Sequence, residues 1–303
     1  MESRDPRKTA GGAPARSWGE LLAEARRLLP GRAHPPFEGE ELLARATGRP
    51  RAWFLARRGD AAPRAEEEAF LALVARRAAG EPLQYLIGEW EFRGRIFSVD
   101  ARALIPRGET EGIVEAALEA APSALSLLDL GTGSGILAVT LALERPTARV
   151  VALDRSTDAL ALALANARRF GVEGRVRFVA SDWTAALRPL GEAAGTPGTP
   201  PFDLAVANPP YVPLADAPHL DKTVSDHEPP LALYGGEDGL DPLRLLLRAL
   251  PPLLAPGAPF VFELGYGQAK EVSALVDASG AFTLRAIRLD AAGIPRTATA
   301  IRA

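Results

Sequence analysis

Residues 126–135 read S-L-L-D-L-G-T-G-S-G, and the fold turns on how this run is taken. A short apolar stretch ends at Leu130, glycines then alternate with small polar residues, and a helical pattern takes over across 135–144. Strand, glycine turn and helix in that order open an α/β unit. The glycines let a ligand approach the backbone closely, and the helix N-terminus offers N–H groups that have no partner within the helix.

Downstream, residues 149–154, 176–180, 204–208 and 259–264 form further short apolar or β-branched runs, with helical stretches such as 157–170 between most of them. That succession predicts a mostly parallel sheet covered on both faces. The tail is different. Residues 282–289 and 297–302 face each other across 290–295 with no helical stretch between, which predicts a closing antiparallel hairpin. The expectation is an α/β, doubly wound, mostly parallel seven-stranded sheet with an antiparallel C-terminal hairpin. G-E-A-A-G-T-P-G-T-P-P, residues 191–201, reads as a surface loop.

Upstream the pattern is helical. Ser17-Trp18-Gly19-Glu20 has the spacing of a capping box ahead of Leu21, Leu22, Leu28 and Leu29. Residues 37–46 and 65–79 carry apolar positions at helical spacing, with Leu42, Leu43, Phe70, Leu71, Leu73 and Val74 as the inner stripe and Gly80 as a stop. G-E-W-E-F-R-G-R-I-F-S-V, residues 88–99, alternates around Arg93-Gly94 and reads as a hairpin. The expected organisation is a flexible tail (1–16), a small all-α domain (17–87), a linking hairpin (88–100) and the α/β domain (101–303).

Composition narrows the function. The chain has 303 residues, 47% of them hydrophobic, and a net charge of −3. The acidic balance argues against a protein held on nucleic acid by neutralising phosphates, so no stable nucleic-acid binding is expected. With no cysteine in the chain, disulfides, thiolate metal sites and a cysteine nucleophile are excluded. His34, His219 and His227 are the only histidines, and His219, Asp221, Asp226 and His227 read as solvated loop residues, so no metal is expected. No apolar run approaches the ~20 residues that cross a bilayer. The N-terminus lacks the apolar core of a signal peptide, and a cytoplasmic protein with no membrane partner is expected.

Gly131, Thr132, Gly133, Ser134 and Gly135 form a cofactor-binding turn that two ligands could use. The dinucleotide fingerprint G-x-G-x-x-G fails when counted from Gly131, since the sixth position is Ile136; counted from Gly133 it gives only a loose match through Gly135 and Ala138. S-adenosylmethionine (SAM), which needs close packing more than anion binding, fits G-x-G-x-G without adjustment. Asp154 closes the second run, where a carboxylate can accept from both ribose hydroxyls; the plainer alternative is a cap for the next helix. Asp182 and Trp183 follow the third run. Asp182 could accept from an adenine amino group and Trp183 cover its ring, against the alternative of a core tryptophan.

The fourth run ends in A-N-P-P-Y, residues 207–211. The Asn208 side-chain carbonyl and the Pro209 backbone carbonyl are two acceptors, the second aimed by the fixed φ of proline. Together they suit a planar –NH₂ group, and Tyr211 offers a flat ring beside it. Asn208, Pro209 and Tyr211 are therefore the catalytic candidates, and Asn208, Pro209, Pro210 and Tyr211 the substrate-binding ones. The alternative is a proline turn. Glycine turn, Asp154, Asp182 and Asn208 each fall at the carboxyl end of a run, where open α/β sheets bind ligands.

With these residues in place the chain resembles class I SAM-dependent methyltransferases, and more narrowly the peptide chain release factor glutamine methyltransferase family. The resemblance covers most of the chain. It runs through EPLQYLIGEWEFRGRIFSVD (81–100), LIPRGETE (104–111), LDLGTGSG (128–135), VVALDRS (150–156), SDW (181–183), ANPPYVP (207–213), EPPLALYGGEDGLD (228–241) and FELGYGQ (262–268). It implies methyl transfer from SAM to the side-chain amide nitrogen of the glutamine in the Gly-Gly-Gln motif of bacterial class I release factors. It further implies that residues 131–135, Asp154, Trp183 and Asn208 bind SAM, that the helical domain contacts the release factor, and that Arg107, Glu109 and Thr110 lie near the pocket. Gly108 departs from the family, which usually has proline there, and residues 292–296 also differ from the usual polar tail. N-P-P-Y alone is shared with methyltransferases of adenine and guanine amino groups, which leaves nucleic-acid methylation as the alternative.

Overall fold

The computed structural model describes residues 15–29, 35–188 and 201–303. The expected tail up to residue 14, His34, and residues 191–200 of the expected surface loop lie outside the described residues. The chain divides into two compact units, Met1–Ile87 and Gly88–Ala303.

The first unit is helical: α1 (Trp18–Leu28), α2 (Pro35–Thr47), α3 (Arg51–Leu55), α4 (Arg64–Ala78) and α5 (Leu83–Ile87). The capping box forms at the start of α1, with the Glu20 N–H donating to the Ser17 hydroxyl and the Ser17 N–H to Glu20 Oε2. Trp18, Leu21, Leu29, Leu42, Leu43, Phe54, Phe70 and Val74 pack into one core. Of the two leucines at the end of α1, Leu29 is buried and Leu28 is 46% exposed. Arg77 is buried and pairs with Glu38 at 2.9 Å, so two of the helices are joined by a desolvated ion pair as well as by apolar contact. The five-residue helices α3 and α5 are too short to show a helical period.

The second unit opens with the antiparallel hairpin β1 (Glu89–Phe92) and β2 (Arg95–Ser98). Next come α6 (Glu111–Ala120), β3 (Ser126–Leu130), α7 (Ile136–Glu144), β4 (Arg149–Asp154), α8 (Thr157–Arg169), β5 (Val176–Ala180) and β6 (Leu204–Ala207). The chain ends with α9 (Lys222–Ser225), α10 (Asp241–Ala249), β7 (Pro259–Glu263), α11 (Ala269–Ser279), β8 (Phe282–Leu289) and β9 (Pro295–Arg302). Strands β3 to β9 form one seven-stranded sheet ordered β5-β4-β3-β6-β7-β9-β8. The pairs from β5 through β7 are parallel, and β9 is antiparallel to both neighbours. The doubly wound sheet with its antiparallel C-terminal pair is therefore present as expected.

Side chains alternate across a strand, so this sheet feeds two cores. Leu127, Val150, Val206 and Val261 pack under α6 and α7 with Phe92 and Phe97 of the hairpin. Leu128, Leu130, Phe260 and Phe262 pack under α10 and α11. Strand order reverses between β3 and β6: β3 is followed outward by β4 and β5, β6 by β7 and β9. Crossovers leave to opposite sides at that point, and a crevice opens above the carboxyl ends of β3 and β6. Among the described residues no helix is long and apolar enough to cross a membrane.

Candidate active site

Register decides which residues meet at that crevice. Leu130 pairs with Leu153 of β4 on one side and Ala207 of β6 on the other, so Gly131, Asp154 and Asn208 follow at one level. Ala207 pairs with Phe262, which puts Glu263 at the level of Asn208. A cavity of about 310 Å³ opens there. Gly131, Thr132, Gly133, Ser134, Asp154, Asp182, Trp183, Asn208, Pro210 and Thr110 are among the residues that line it. Gly135 is not among the lining residues. Pro209 and Tyr211 are not among the lining residues.

The glycine turn has a specific shape. Gly131, Gly133 and Gly135 have φ of 72°, 56° and 79°, a conformation that residues with a Cβ rarely adopt. A Cβ on Gly135 would also sit 2.9 Å from that of Ala163, so only glycine lets α7 start against α8. Several N–H groups of this turn are already occupied. Gly131 and Thr132 both donate to the Leu153 carbonyl, at 2.9 and 2.8 Å, and Gly133 donates to Asp154 Oδ2 at 2.8 Å. A pyrophosphate needs those donors and an uncharged or positive surround. Here the first three donors of the turn are consumed and a carboxylate stands beside them, an arrangement that suits an adenosine packed against backbone better than a pyrophosphate.

Asp154 also accepts from the Ser156 N–H at 2.8 Å, while Ser156 itself caps α8 by accepting from the Ala159 N–H. The side-chain cap of α8 is thus Ser156, and Asp154 lines the cavity. Below the turn, Asp129 is fully buried, accepting from the Thr132 hydroxyl at 2.6 Å and the Ala138 N–H at 3.1 Å. Burial pushes its carboxyl up to about 7. Asn166 of α8 ties the hairpin to the turn, binding the Ser98 N–H and carbonyl and the Ser134 carbonyl. Trp183 adopts φ 48°, held in a turn where the Ser181 hydroxyl donates to the Trp183 carbonyl and accepts from the Ala186 N–H. Its ring borders Gly131: a Cβ there would meet Trp183 Cζ3 at 3.6 Å. Trp183 therefore forms one wall of the cavity while packing, half-buried, against the core beneath.

Asn208 sits in a chain of hydrogen bonds. Its Nδ2 donates to the Thr110 hydroxyl at 3.2 Å, and Thr110 donates to Glu263 Oε2 at 2.8 Å. The Tyr211 hydroxyl donates to Glu263 Oε1 at 3.1 Å. Burial raises the pKa of Glu263, and burial together with that carboxylate raises the pKa of Tyr211. Tyr211 therefore has an anchoring bond that the sequence reading did not assign to it. Among the described residues no protein donor reaches Asn208 Oδ1 or the Pro209 carbonyl.

The loop after Asn208 is gripped from behind by the glycine-rich stretch 234–241. Val212 N–H donates to the Leu233 carbonyl and Gly235 N–H to the Val212 carbonyl, at 2.9 and 3.0 Å. A Cβ on Gly235 would lie 2.5 Å from the Pro210 carbonyl oxygen, and one on Gly239 2.1 Å from that of Tyr211. Gln268 Nε2 donates to the same Tyr211 carbonyl at 3.0 Å. Arg107 and the Ile105 N–H both bind the buried carboxylate of Glu228, which holds the segment leading to Thr110. Glu263 was not singled out from sequence, although a lone carboxylate closing the apolar run P-F-V-F-E is the same strand-end signal that marked Asp154.

Comparison with known proteins adds a second line of support. Residues 20–88 match the family model described as the PrmC N-terminal domain, and residues 122–229 one described as a methyltransferase domain. A release factor glutamine methyltransferase of Moorella thermoacetica is 42% identical over 287 residues, 93% of this chain and 98% of that protein. One from Burkholderia pseudomallei is 41% identical over 280 residues, 90% and 94% of the two chains. One from Geobacter sulfurreducens is 47% identical over 208 residues, 69% of each. Among solved structures, a methyltransferase from Pyrococcus furiosus is 16% identical, covering 68% of this chain and 87% of its own with a TM-score of 0.48.

Proposed function

This chain belongs to the release factor glutamine methyltransferase family, and from that premise we propose how its cavity methylates a glutamine side chain. The enzyme is a SAM-dependent methyltransferase acting on a release factor glutamine. When bound, SAM supplies an electrophilic methyl group. Gly131 to Gly135 would give it a close backbone surface, Asp154 would accept from its ribose hydroxyls, and Asp182 and Trp183 would take its adenine.

The substrate amide enters at Asn208. An amide nitrogen is a weak nucleophile because its lone pair is delocalised into the carbonyl. Asn208 Oδ1 and the Pro209 carbonyl accept its two N–H hydrogens, raise electron density on nitrogen and orient it. Positioning of this kind is worth about 7 kcal/mol or more in favourable cases. The nitrogen becomes strongly acidic once alkylated, so its proton passes to water without a strong base. The Gly-Gly-Gln motif of bacterial class I release factors presents such an amide on a small-residue loop able to reach into a cavity, and the helical unit contacts the body of the factor. The observation that supports this reading is Asn208 at the tip of β6, which lines the cavity opposite the glycine turn and whose Nδ2 is held by Thr110 while its Oδ1 has no protein donor among the described residues.

Incubation with methyl-labelled SAM and either a release factor or nucleic acid tests the proposal. Label on the peptide carrying the Gly-Gly-Gln glutamine is expected. Label on adenine or guanine alone would replace this reading with nucleic-acid methylation.

A further inference from the structure

We propose that Glu263 is a positioning residue that sets the polarity of the Asn208 carboxamide through Thr110. The inference rests on the functional reading above and deepens it. Three separate elements contribute: Glu263 ends β7, Thr110 closes the 3-10 turn Gly108–Thr110, and Asn208 follows β6. An ionised carboxylate only accepts hydrogen bonds. Both hydroxyls that touch Glu263, from Thr110 and Tyr211, must therefore donate to it. A hydroxyl has one proton, and that of Thr110 is committed. Toward Asn208, Thr110 can only accept. The NH₂ end of the carboxamide is drawn to Thr110, and Oδ1 is turned the other way.

A carboxamide can present either a donor or an acceptor, and an unconstrained Asn208 would offer both orientations. The buried carboxylate removes that choice. The cavity then presents an oxygen that holds –NH₂ groups and repels carboxylates, so a glutamine is held where a glutamate is rejected. Protonation of Glu263 reverses the chain: its new O–H can donate to the Thr110 oxygen, which frees the Thr110 hydroxyl to donate toward Asn208 and favours a carboxamide flipped to turn Oδ1 to it. The charged and titratable groups facing Glu263 are Tyr211 on the loop, Glu109 on the 3-10 turn and Arg296 on β9. Arg107 of the preceding segment faces Tyr211. Burial is the largest influence on Glu263 and raises its pKa, so turnover should fall on the acid side above the ordinary carboxylate range.

Glu263→Gln keeps the shape but adds a donor that can reverse the direction of the bonds. At saturating SAM its kcat on the release factor should fall by about 10–100-fold, as for other misplaced reactants. The SAM dissociation constant should stay within about threefold, and the acid limb of the pH profile should vanish. Thr110→Val should lose a similar factor, Thr110→Ser should restore most of it, and the double variant Glu263→Gln/Thr110→Val should be no worse than either single one. A folded Glu263→Gln with wild-type kcat, or losses that simply multiply in the double variant, overturns the proposal. If Glu263→Gln does not fold, the contrast of Thr110→Val with Thr110→Ser still decides: equal turnover in the two sinks the relay. Failure of wild type itself to label glutamine would instead sink the functional reading.

Discussion

Asp154 acts twice at the site, and its two tasks are separable in principle but not in one side chain. It braces the Gly133 N–H and it offers lone pairs to the cavity. Asp154→Ala should weaken SAM binding by about 10–100-fold, the range expected for losing charge-assisted hydrogen bonds, in a calorimetric titration. Asp129 makes a different prediction. Its folded pKa is raised to about 7 by burial, against an ordinary value of 3.8. Raised in the folded state, it contributes most below the unfolded value, and that contribution is lost as pH rises toward 7. Relative to Asp129→Asn, wild type should therefore lose stability progressively between about pH 4 and pH 7 in denaturant titrations; a difference that does not vary with pH would contradict it. The residues on strand ends were legible in sequence because a polar side chain closing an apolar run stands out. The network was not. Thr110 and Glu263 are 153 positions apart, and only the register of β6 on β7 brings Asn208 level with Glu263.

Among the elements, the glycine-rich stretch 234–241 is explained by backbone contact, not by any side chain it carries. Gly239 has φ 78°, and its added Cβ would overlap the Tyr211 carbonyl oxygen at 2.1 Å. Gly239→Ala should cost about 1–3 kcal/mol through backbone strain alone and lower kcat by displacing the loop that holds Asn208. Unchanged unfolding and turnover would refute the clamp. Gly108 is the opposite case. It opens a 3-10 turn and a Cβ there would meet nothing within 4 Å. Proline suits the first position of a helical turn. Gly108→Pro should therefore raise stability by about 0.4–1 kcal/mol, or on the order of 1–4 °C in the unfolding midpoint. Long periodic helices and the βα alternation were readable from spacing. The clamp was readable only as a glycine cluster, since the need for glycine comes from a partner backbone far along the chain.

For the molecule as a whole, each unit has its own buried core, Trp18 to Leu86 in the helical unit and two layers in the sheet unit. Assigning partner recognition to the helices predicts that residues 88–303 alone bind SAM with near wild-type affinity but methylate an intact release factor poorly. The loss should be much smaller on a short Gly-Gly-Gln peptide; an equal loss on both substrates would move recognition to the sheet unit. The division of labour still leaves the chemistry to one atom pair at the tip of β6. Mass spectrometry of a release factor treated with SAM and either wild type or Asn208→Ala tests that directly, with SAM binding measured alongside. The account predicts one added methyl group on the Gly-Gly-Gln glutamine with wild type and none with Asn208→Ala, whose SAM affinity falls only modestly. Full methylation by Asn208→Ala would contradict it.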